Sequence, residues 1–336
     1  MSIIPIFIPH AGCPHQCVFC NQRTISGQQT AAIEGAKAQI NKWLKILNPR
    51  IKHEAAFYGG SFTGLDLSLQ KELLALTDNL QEQGVITSVR LSTRPDYIDE
   101  ERLQLLAEHH VRTIELGVQS LDDKVLAKAE RGHRSACVYE AAKLIKEYGF
   151  RLGLQLMVGM PLQDFASVKD TTEQALSMKP DLARIYPLLV IKNTPLEKSY
   201  TSGEFLPLTI NEAVEQAAYL YKKLTDANVQ VIRIGLQADE ELCEPGNIIA
   251  GPWHPSMGEL VKARVLRNEL ESKLEVFASQ GAKKVVLCYS PRLESQLRGQ
   301  KNSNLLYLQK KFQNLYLELR KVKFQETAGR VKVFVE

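Results

Sequence analysis

The chain has 336 residues, is 44% hydrophobic and 24% charged, and carries a net charge of +4. These values are typical of a soluble globular protein with one large or two ordinary domains. No run of 18 apolar residues occurs, so the sequence predicts no membrane-spanning helix. The apolar start, Met1–Pro9, is too short and uncharged for a secretory signal, and no small-residue cleavage site follows it.

Strand-like runs rich in Val, Ile and Leu alternate with helical patterns over the first 235 residues. The predicted strands are Ile3–Pro9, Glu54–Tyr58, Ser88–Ser92, Thr113–Val118, Arg151–Val158, Leu182–Val190 and Val229–Ile234. The predicted helices are Ala32–Leu47, Ser68–Gln83, Glu100–His109, Ser135–Tyr148, Asp164–Met178 and Asn211–Thr225. Asp99 before Glu100 and Asn211 before Glu212 are helix-capping signatures. The alternation predicts an α/β fold with a parallel sheet, either doubly wound or rolled into a barrel.

The pattern changes after about residue 235, where a connector rich in Pro and Gly begins. A long helix, a strand, two short helices and two strands are predicted there: Met257–Ser279, Lys284–Tyr289, Arg292–Leu297, Asn304–Phe312, Leu315–Leu319 and Arg330–Val335. The last two strands alternate apolar and polar residues, which predicts that they pair in antiparallel fashion. We therefore expect residues 241–336 to form a small α+β domain after a first domain of residues 1–240.

Charge is distributed unevenly between these two parts. Residues 256–336 contain 16 Lys and Arg against 8 Asp and Glu, a net charge of +8, so the first 255 residues carry −4. A basic tail is typical of proteins that bind an anionic partner such as RNA, and it is equally typical of a solvated helix surface. If the tail binds RNA, we expect these cations to take part: Lys262, Arg264, Arg267, Lys310 and Lys311.

Three of the six cysteines, Cys13, Cys17 and Cys20, fall within eight residues directly after the first predicted strand. Such a cluster indicates metal binding in a reducing cytoplasm, because a disulfide framework would spread pairs along a short secreted chain. The C-x3-C-x2-C spacing suits three corners of a cubane iron–sulfur cluster, with one iron left open. A structural zinc site with His10 or His15 as the fourth ligand is the alternative.

This cysteine motif resembles that of the radical S-adenosylmethionine (SAM) superfamily. The resemblance implies a partial (β/α)6 radical SAM barrel, a [4Fe–4S] cluster held by the three cysteines, and SAM bound to the fourth iron. It also implies that Gly59, Gly60 and Ser61, after the second strand, meet the amino group of SAM. Glycine suits that position because the backbone has to approach a ligand without a Cβ in the way. Phe19 would pack against the adenine.

Four further runs resemble the radical SAM part of the Elongator catalytic subunit, which modifies the wobble uridine of tRNA. These runs are Ser92–Tyr97, Glu115–Ser120, Arg131–His133 and Arg184–Val190. The resemblance covers about residues 1–240 and implies tRNA or another RNA as the substrate. Two features depart from that family: the spacing between the first two cysteines is shorter, and we expect no acetyltransferase domain in this chain. A self-contained acetyl transfer is therefore not expected.

Oxygen-independent coproporphyrinogen oxidases and their haem-chaperone relatives are similar more distantly. Their similarity implies that Gln119 and Arg131 contact SAM. Those proteins place another cysteine two residues after the third ligand, where this chain has a glutamine, and this difference argues against porphyrin chemistry. Ser92 and Gln155, which are uncharged where the relatives carry carboxylates, and Val158 at the end of the fifth strand complete the candidate SAM contacts.

The resemblance implies that SAM is cleaved reductively to methionine and a 5′-deoxyadenosyl radical, which takes a hydrogen atom from the substrate. In a parallel barrel this site lies at the C-terminal ends of the strands. The candidate groups facing the substrate are Tyr186, His254 as an acid or base, and Cys243 as a hydrogen-atom donor. Their structural alternatives are a core tyrosine, a loop hydrogen bond and an inert thiol. Arg184 either binds an anion or pairs with a barrel carboxylate.

Three hypotheses follow from these observations. The first is a cytoplasmic radical SAM enzyme that acts on tRNA or another RNA and receives its electron from a flavodoxin or ferredoxin. The second is a radical SAM oxidoreductase that acts on a small molecule, with the basic tail completing the barrel wall. The third is a non-enzymatic, metal-containing protein that binds RNA.

Overall fold

The computed structural model describes residues 2–8, 13, 17–21, 32–48, 50–236, 244–323 and 330–335. Two compact units divide the chain, Met1–Ala213 with Lys223–Trp253, and Val214–Lys222 with His254–Glu336. The predicted domain boundary at residue 240 lies outside the described residues. None of the described helices is long and apolar enough to cross a membrane.

Most strands of the first unit belong to one parallel sheet. The strands of the described part are β1 (Ile3–Phe7), β2 (His53–Tyr58), β3 (Ile86–Thr93), β4 (Val111–Gln119), β5 (Arg151–Val158), β6 (Leu182–Pro187), β7 (Val190–Ile191), β8 (Gln230–Ile234) and β9 (Ile248–Ala250). Strands β1 to β6 and β8 form a seven-stranded sheet in chain order. The sheet curls into a half-barrel, which confirms the predicted partial radical SAM barrel. Strands β7 and β9 form a separate antiparallel pair that was not predicted, because each is too short to show a pattern.

Helices alternate with these strands, and several begin at a side-chain cap. They are α1 (Ala32–Leu44), α2 (Leu67–Glu82), α3 (Glu100–Glu108), α4 (Asp123–Lys128), α5 (Ser135–Glu147), α6 (Phe165–Ser177), α7 (Pro195–Thr201) and α8 (Ile210–Asp226). Asp99 caps α3 by accepting a hydrogen bond from the Arg102 amide (2.8 Å), as predicted. The predicted cap Asn211 is wrong. Thr209 caps α8 in a reciprocal capping box with Glu212, which needs the hydroxyl three residues before the carboxylate.

The two faces of the parallel sheet differ in polarity. One face is apolar and buried, and it includes Ala55, Phe57, Val89, Leu91, Ile114, Leu116, Leu154, Leu156 and Ile185. The strand registers bring buried charged side chains together on the other face, namely Glu54, Arg90, Glu115 and Arg184. Burying charge is favourable only when each group is paired, so the contacts among these four residues decide how the face is held together.

Glu115 on β4 lies at the centre of this charged layer and has no exposed surface. Its carboxylate accepts hydrogen bonds from Arg184 Nε (2.5 Å) and Nη2 (3.0 Å) on β6 and from Arg90 Nη1 (3.3 Å) on β3. Arg90 Nε also donates to Glu54 on β2 (2.7 Å), and Arg184 Nη2 donates to the hydroxyl of Tyr58 on β2 (2.8 Å). Strands β2 and β6 are four positions apart in the sheet, so this contact requires the charged face to be the concave one.

The second unit is a small α+β domain, as predicted. Its described elements are α9 (Met257–Ser279), β10 (Lys284–Tyr289), α10 (Glu294–Arg298), α11 (Ser303–Lys311), β11 (Tyr316–Lys321) and β12 (Lys332–Val335). Leu274 of α9, Leu287 of β10 and Leu308 of α11 pack in one apolar core.

The predicted pairing of the last two strands is wrong. Strands β11 and β12 do not pair with each other but flank β10, β11 in parallel and β12 in antiparallel orientation. Alternating polarity indicates which face of a strand is wet, but it carries no information about the neighbouring strand.

We predict that Glu115→Gln lowers the free energy of unfolding by about 3–5 kcal/mol, because it leaves Arg90 and Arg184 buried without a carboxylate charge between them. Urea unfolding followed by circular dichroism measures this loss. The matched control is Glu72→Gln, which makes the same change at an exposed position of α2 and should have little effect. Equal stability of the two variants would contradict the structural role of Glu115.

Candidate active site

The cysteine loop follows β1 and is anchored at the C-terminal end of the parallel sheet. The amide of Val18 donates to the carbonyl of Ala129 (3.2 Å), and the carbonyl of Val18 accepts from the amide of Leu196 at the start of α7 (2.8 Å). The amide of Cys20 donates to the carbonyl of Cys17 (3.0 Å), which closes a turn between these two residues. This end of a parallel sheet is where ligands bind in α/β folds.

A buried arginine contacts the central cysteine. Arg131 Nη1 donates to Cys17 Sγ (3.1 Å), and both side chains are almost completely buried. A second N–H of Arg131 donates to the carbonyl of Gly117 near the end of β4. Arg94, held by a bidentate pair with Asp96 (2.9 and 2.8 Å), donates to the backbone carbonyl of Arg131. The two arginines therefore form one rigid cationic group beside the thiol of Cys17.

Cys13 lies close enough to Arg94, Arg131 and Cys17 for their charges to act on its thiol. Burial raises the pKa of the Cys13 thiol, the nearby charges of Arg94 and Arg131 lower it, and the neighbouring Cys17 raises it further. Burial, together with the charge of Arg131, lowers the pKa of His133 to about 4, so this imidazole is neutral at pH 7. The pocket thus contains two thiols, two permanent cations and one neutral imidazole.

Several buried polar atoms of this pocket have no hydrogen-bond partner within the part of the chain that the structure describes. They are Arg94 Nη1, Arg131 Nε, His133 Nε2 and Gln119 Oε1. Buried polar groups are nearly always paired in native proteins, so unpaired groups gathered at one place indicate a ligand. The three nitrogen atoms and the amide oxygen offer both donor and acceptor capacity.

Gln119 occupies a strained backbone position. It has a positive φ of 66°, and the register between β4 and β5 shifts between Gly117 and Gln119. A Cβ on Gly117 would lie 3.2 Å from Gln119 Nε2 and 3.4 Å from Arg131 Nη2, so glycine leaves room for both side chains. Left-handed backbone at a non-glycine residue is costly and is concentrated at functional sites.

The glycines after β2 are required by the backbone. Gly59 and Gly60 have φ values of +83° and +98°, and a Cβ on Gly59 would lie 3.2 Å from the carbonyl oxygen of Ile8. Ser61 is buried, and its hydroxyl shares one hydrogen bond with the Thr93 hydroxyl (2.8 Å) and accepts another from the Arg94 amide (3.2 Å), so it serves the fold. A narrow crevice runs beside this turn and is lined by Ile8, Phe57, Tyr58, Gly59, Ser61, Phe62, Leu65 and Ser92.

Ser92, Gln155 and Tyr186 lie on the concave face. Gln155 Nε2 donates to Ser92 Oγ (3.0 Å), which joins two of the predicted SAM contacts. The hydroxyl of Tyr186 lies 3.5 Å from Arg184 Nη1, and burial raises its pKa. Arg184 itself pairs with a barrel carboxylate, Glu115, which is the second of the two roles that the sequence allowed for it.

Phe19 and Val158 occupy apolar surroundings. Phe19 is half-buried and packs against a cluster that includes Val18, Met157 and Met160. Val158 is fully buried on the opposite face of β5 from Gln155, and its carbonyl accepts from the amide of Leu188 (3.0 Å). A contact from Val158 to SAM stays a prediction and would have to use the backbone.

Four predicted residues do not belong to the described part of the first unit. His254 belongs to the second unit, where its Nδ1 accepts from the Ser256 amide (3.0 Å), and its catalytic role stays a prediction. Cys243 and the alternative zinc ligands His10 and His15 lie outside the described residues. Among the residues that are described, no three His, Cys, Asp or Glu side chains lie close enough to enclose a single metal ion. A cubane cluster spaces its thiolates more widely, and the two thiols and unpaired atoms here fit such a group.

Sequence analysis missed several residues of this region, among them Arg94, Asp96, Glu54, Arg90 and the central role of Glu115. One signal was present in the sequence. Glu54, Arg90 and Glu115 each place a charge in a strand, and a parallel strand that is buried on both faces does not tolerate a charge without a partner.

We predict that Gly59→Ala destabilises the protein more than Gly84→Ala does. Both glycines have a positive φ, which costs an alanine about 1–2 kcal/mol. Gly84 has nothing within 4 Å of an added Cβ, whereas Gly59 would also have to displace the Ile8 carbonyl. Urea unfolding of both variants measures the difference, and equal losses would contradict a close approach of the β1 and β2 ends.

Comparisons with known proteins identify the family of the chain. The family model of the radical SAM superfamily matches residues 7–175, and that of the radical SAM C-terminal domain matches residues 180–267. A tRNA uridine(34) acetyltransferase of Methanocaldococcus jannaschii is 25% identical over 81% of this chain and 57% of its own length. The heme chaperone HemW of Bacillus subtilis is 28% identical over 54% of this chain and 49% of its own.

Among solved structures, the archaeal Methanocaldococcus infernus Elp3 with an N-terminal deletion has the same fold. It superposes with a TM-score of 0.62 at 24% identity, over 83% of this chain and 63% of that one. The chain thus spans little more than half the length of the acetyltransferase relative and less than two thirds of this structure. Since the superfamily model matches half of the chain, the chain belongs to the radical SAM superfamily and is an enzyme of the kind that uses a [4Fe–4S] cluster and SAM.

Proposed function

We propose that Cys13, Cys17 and Cys20 hold a [4Fe–4S] cluster at which SAM is cleaved reductively, and that the enzyme modifies an RNA. One observation carries the site: two of the thiols share a buried pocket with Arg94 and Arg131, whose guanidinium groups keep N–H donors that no described residue pairs. Thiols that only filled a core would have no need of buried cations.

A cluster is held by thiolates, and the cations beside Cys13 act in the direction that this requires. Burial alone would keep the Cys13 thiol protonated, and the charges of Arg94 and Arg131 act against this effect. Arg131 Nη1 donates a hydrogen bond to Cys17 Sγ, which is the kind of contact by which outer groups tune metal ligands.

When bound, the cluster and SAM together supply a 5′-deoxyadenosyl radical that abstracts a hydrogen atom from the substrate. The chain itself binds, orients and excludes water. The free donors of Arg94 and Arg131 suit the carboxylate of SAM, and Gln119 Oε1 suits its ammonium group. Phe19 and the apolar cluster around it shield this end of the sheet from water.

RNA is proposed as the substrate from similarity and charge. The relative that shares 25% identity over 81% of this chain is named a tRNA uridine(34) acetyltransferase. The net charge of +8 on residues 256–336 suits a polyanionic substrate. A flavodoxin or ferredoxin is the proposed source of the electron that SAM cleavage consumes.

We predict that Cys13→Ala, Cys17→Ala and Cys20→Ala each abolish loading of the cluster, because three thiolates are needed to hold it. Iron and sulfide content and the visible absorption of anaerobically reconstituted protein measure the loading. Cys137 and Cys288 provide matched controls, since both are free cysteines outside the loop. A full cluster in any loop variant would contradict the ligand assignment for that residue.

We predict that the reconstituted enzyme, given dithionite and SAM, forms 5′-deoxyadenosine, and that unmodified tRNA increases the yield. With tRNA deuterated on its ribose and bases, deuterium should appear in the 5′-deoxyadenosine, because the hydrogen atom comes from the substrate. The Cys17→Ala variant is the control for cleavage that does not involve the cluster.

An intact cluster that forms no 5′-deoxyadenosine, with or without tRNA, would contradict the proposed reaction. Cleavage that neither responds to tRNA nor takes up deuterium would contradict RNA as the substrate and favour a small molecule.

A further inference from the structure

The small sheet of the second unit has two unlike faces. Residues Val285, Leu287 and Tyr289 of β10 belong to the apolar core. Because successive residues of a strand point to opposite faces, the paired strands gather a second set of side chains on the other face. This set, which we name the sheet face, consists of Lys284, Val286 and Cys288 of β10, Tyr316, Glu318 and Arg320 of β11, and Lys332 and Phe334 of β12. Val286 and Cys288 at its centre are buried, so its exposed side chains belong to the two flanking strands.

Two aromatic side chains of the sheet face are open to solvent. Tyr316 is 65% exposed and Phe334 is 50% exposed. Tyr316 pairs with Lys284 and Phe334 pairs with Val286, so the two aromatic residues lie on opposite sides of β10 and are offset by two residues along it. Their Cα atoms are therefore about 12 Å apart. A single exposed aromatic residue is ordinary, but two on one face of a small sheet form the kind of platform on which unpaired bases stack.

Cations surround these rings. Lys284, Arg320 and Lys332 bring three positive charges to the sheet face, against the one carboxylate of Glu318. That carboxylate pairs with both Lys284 (2.8 Å) and Arg320 (2.7 Å). Lys332 is exposed and has no carboxylate within salt-bridge distance in the described chain. The sheet face therefore keeps an excess of positive charge.

The helix cations predicted to bind RNA are in a different situation. Arg264 pairs with Glu215, and Lys311 pairs with both Glu271 and Glu275. These pairs offset the charges of Arg264 and Lys311, and a polyanion would have to break them. On the sheet face, Lys332 has no such pair to break in the described chain, whereas Arg320 would exchange Glu318 for a phosphate.

We propose that the sheet face binds single-stranded RNA, with Tyr316 and Phe334 stacking on bases and Arg320 and Lys332 contacting phosphates. This inference rests on the proposed RNA substrate and names the surface that would hold it. Stacking on aromatic rings accepts every base, so the sheet face contributes affinity without sequence selection.

The test measures binding of the full-length protein to a short fluorescein-labelled oligouridylate by fluorescence anisotropy over a series of salt concentrations. Tyr316→Ser with Phe334→Ser should raise the Kd about tenfold or more, because each stacked base contributes about 1–3 kcal/mol. Arg320→Gln with Lys332→Gln should reduce the slope of log K against log salt by about 1.4, for two lost contacts to a single strand. The matched control, Lys273→Gln with Lys301→Gln, removes two exposed charges of the second unit that lie outside the sheet face and should change neither value.

Three results would overturn the inference. The first is a control variant that weakens binding as much as the Arg320 and Lys332 variant, since binding would then be diffuse or on the helices. The second is an unchanged Kd in the aromatic variant, with circular dichroism showing that it is folded. The third is a homodimer that sedimentation detects and that the aromatic variant dissociates, because a second copy of the chain would then occupy the sheet face.

Different results test the sheet face and the proposed function. A wild-type enzyme that forms 5′-deoxyadenosine in response to tRNA but does not bind oligouridylate leaves the proposed function standing and overturns the sheet face alone. A wild-type enzyme that binds oligouridylate through the sheet face, but neither responds to tRNA nor takes up its deuterium, supports the sheet face and overturns the substrate proposal.

Discussion

The buried carboxylate of Glu115 is the constraint on which the first unit depends. It has no exposed surface and is balanced by two arginines, one from β3 and one from β6. A charge in this position is tolerated only if its partners are held at hydrogen-bonding distance, and those partners come from strands on either side of β4. The sheet must therefore curl until side chains four strands apart can touch, as Arg184 and Tyr58 do. The curvature of the half-barrel and the pairing of its buried charges therefore depend on each other.

The hydrogen bonding of buried polar groups differs between this layer and the region nearer the cysteine loop. Every side-chain nitrogen of Arg90 and Arg184 has an oxygen partner, so the layer is complete without a ligand. Nearer the cysteine loop the situation is reversed, because Arg94, Arg131 and Gln119 keep buried atoms without partners in the described chain. Arginine thus has all its hydrogen bonds within the charged layer, whereas nearer the cysteine loop it keeps donors that no described residue pairs. The difference lies in satisfied and unsatisfied hydrogen bonds, not in composition.

Sequence reasoning succeeded where the information is local. The alternation of strands and helices predicted the parallel sheet, and the spacing of three cysteines indicated the radical SAM superfamily, because both patterns lie within a few residues. It failed where the partner is distant. The contact of Cys17 with Arg131 joins positions 114 residues apart, and that of Glu115 with Arg184 joins positions 69 apart. A charge inside a buried strand indicates that it has a partner, but the order of the strands is needed to identify which residue that partner is.

The second unit shows the same limit for charge and for strand pairing. A net charge is a sum over residues, whereas the field that a polyanion meets depends on which cations already have carboxylate neighbours. The helices carry many Lys and Arg, yet Arg264 and Lys311 are paired there. Likewise, alternation predicted a wet face on each of the last two strands but not the strand between them. Because β10 separates β11 from β12, Tyr316 and Phe334 lie at opposite edges of one face. A single base cannot contact both rings across that distance, whereas an extended strand of several bases can.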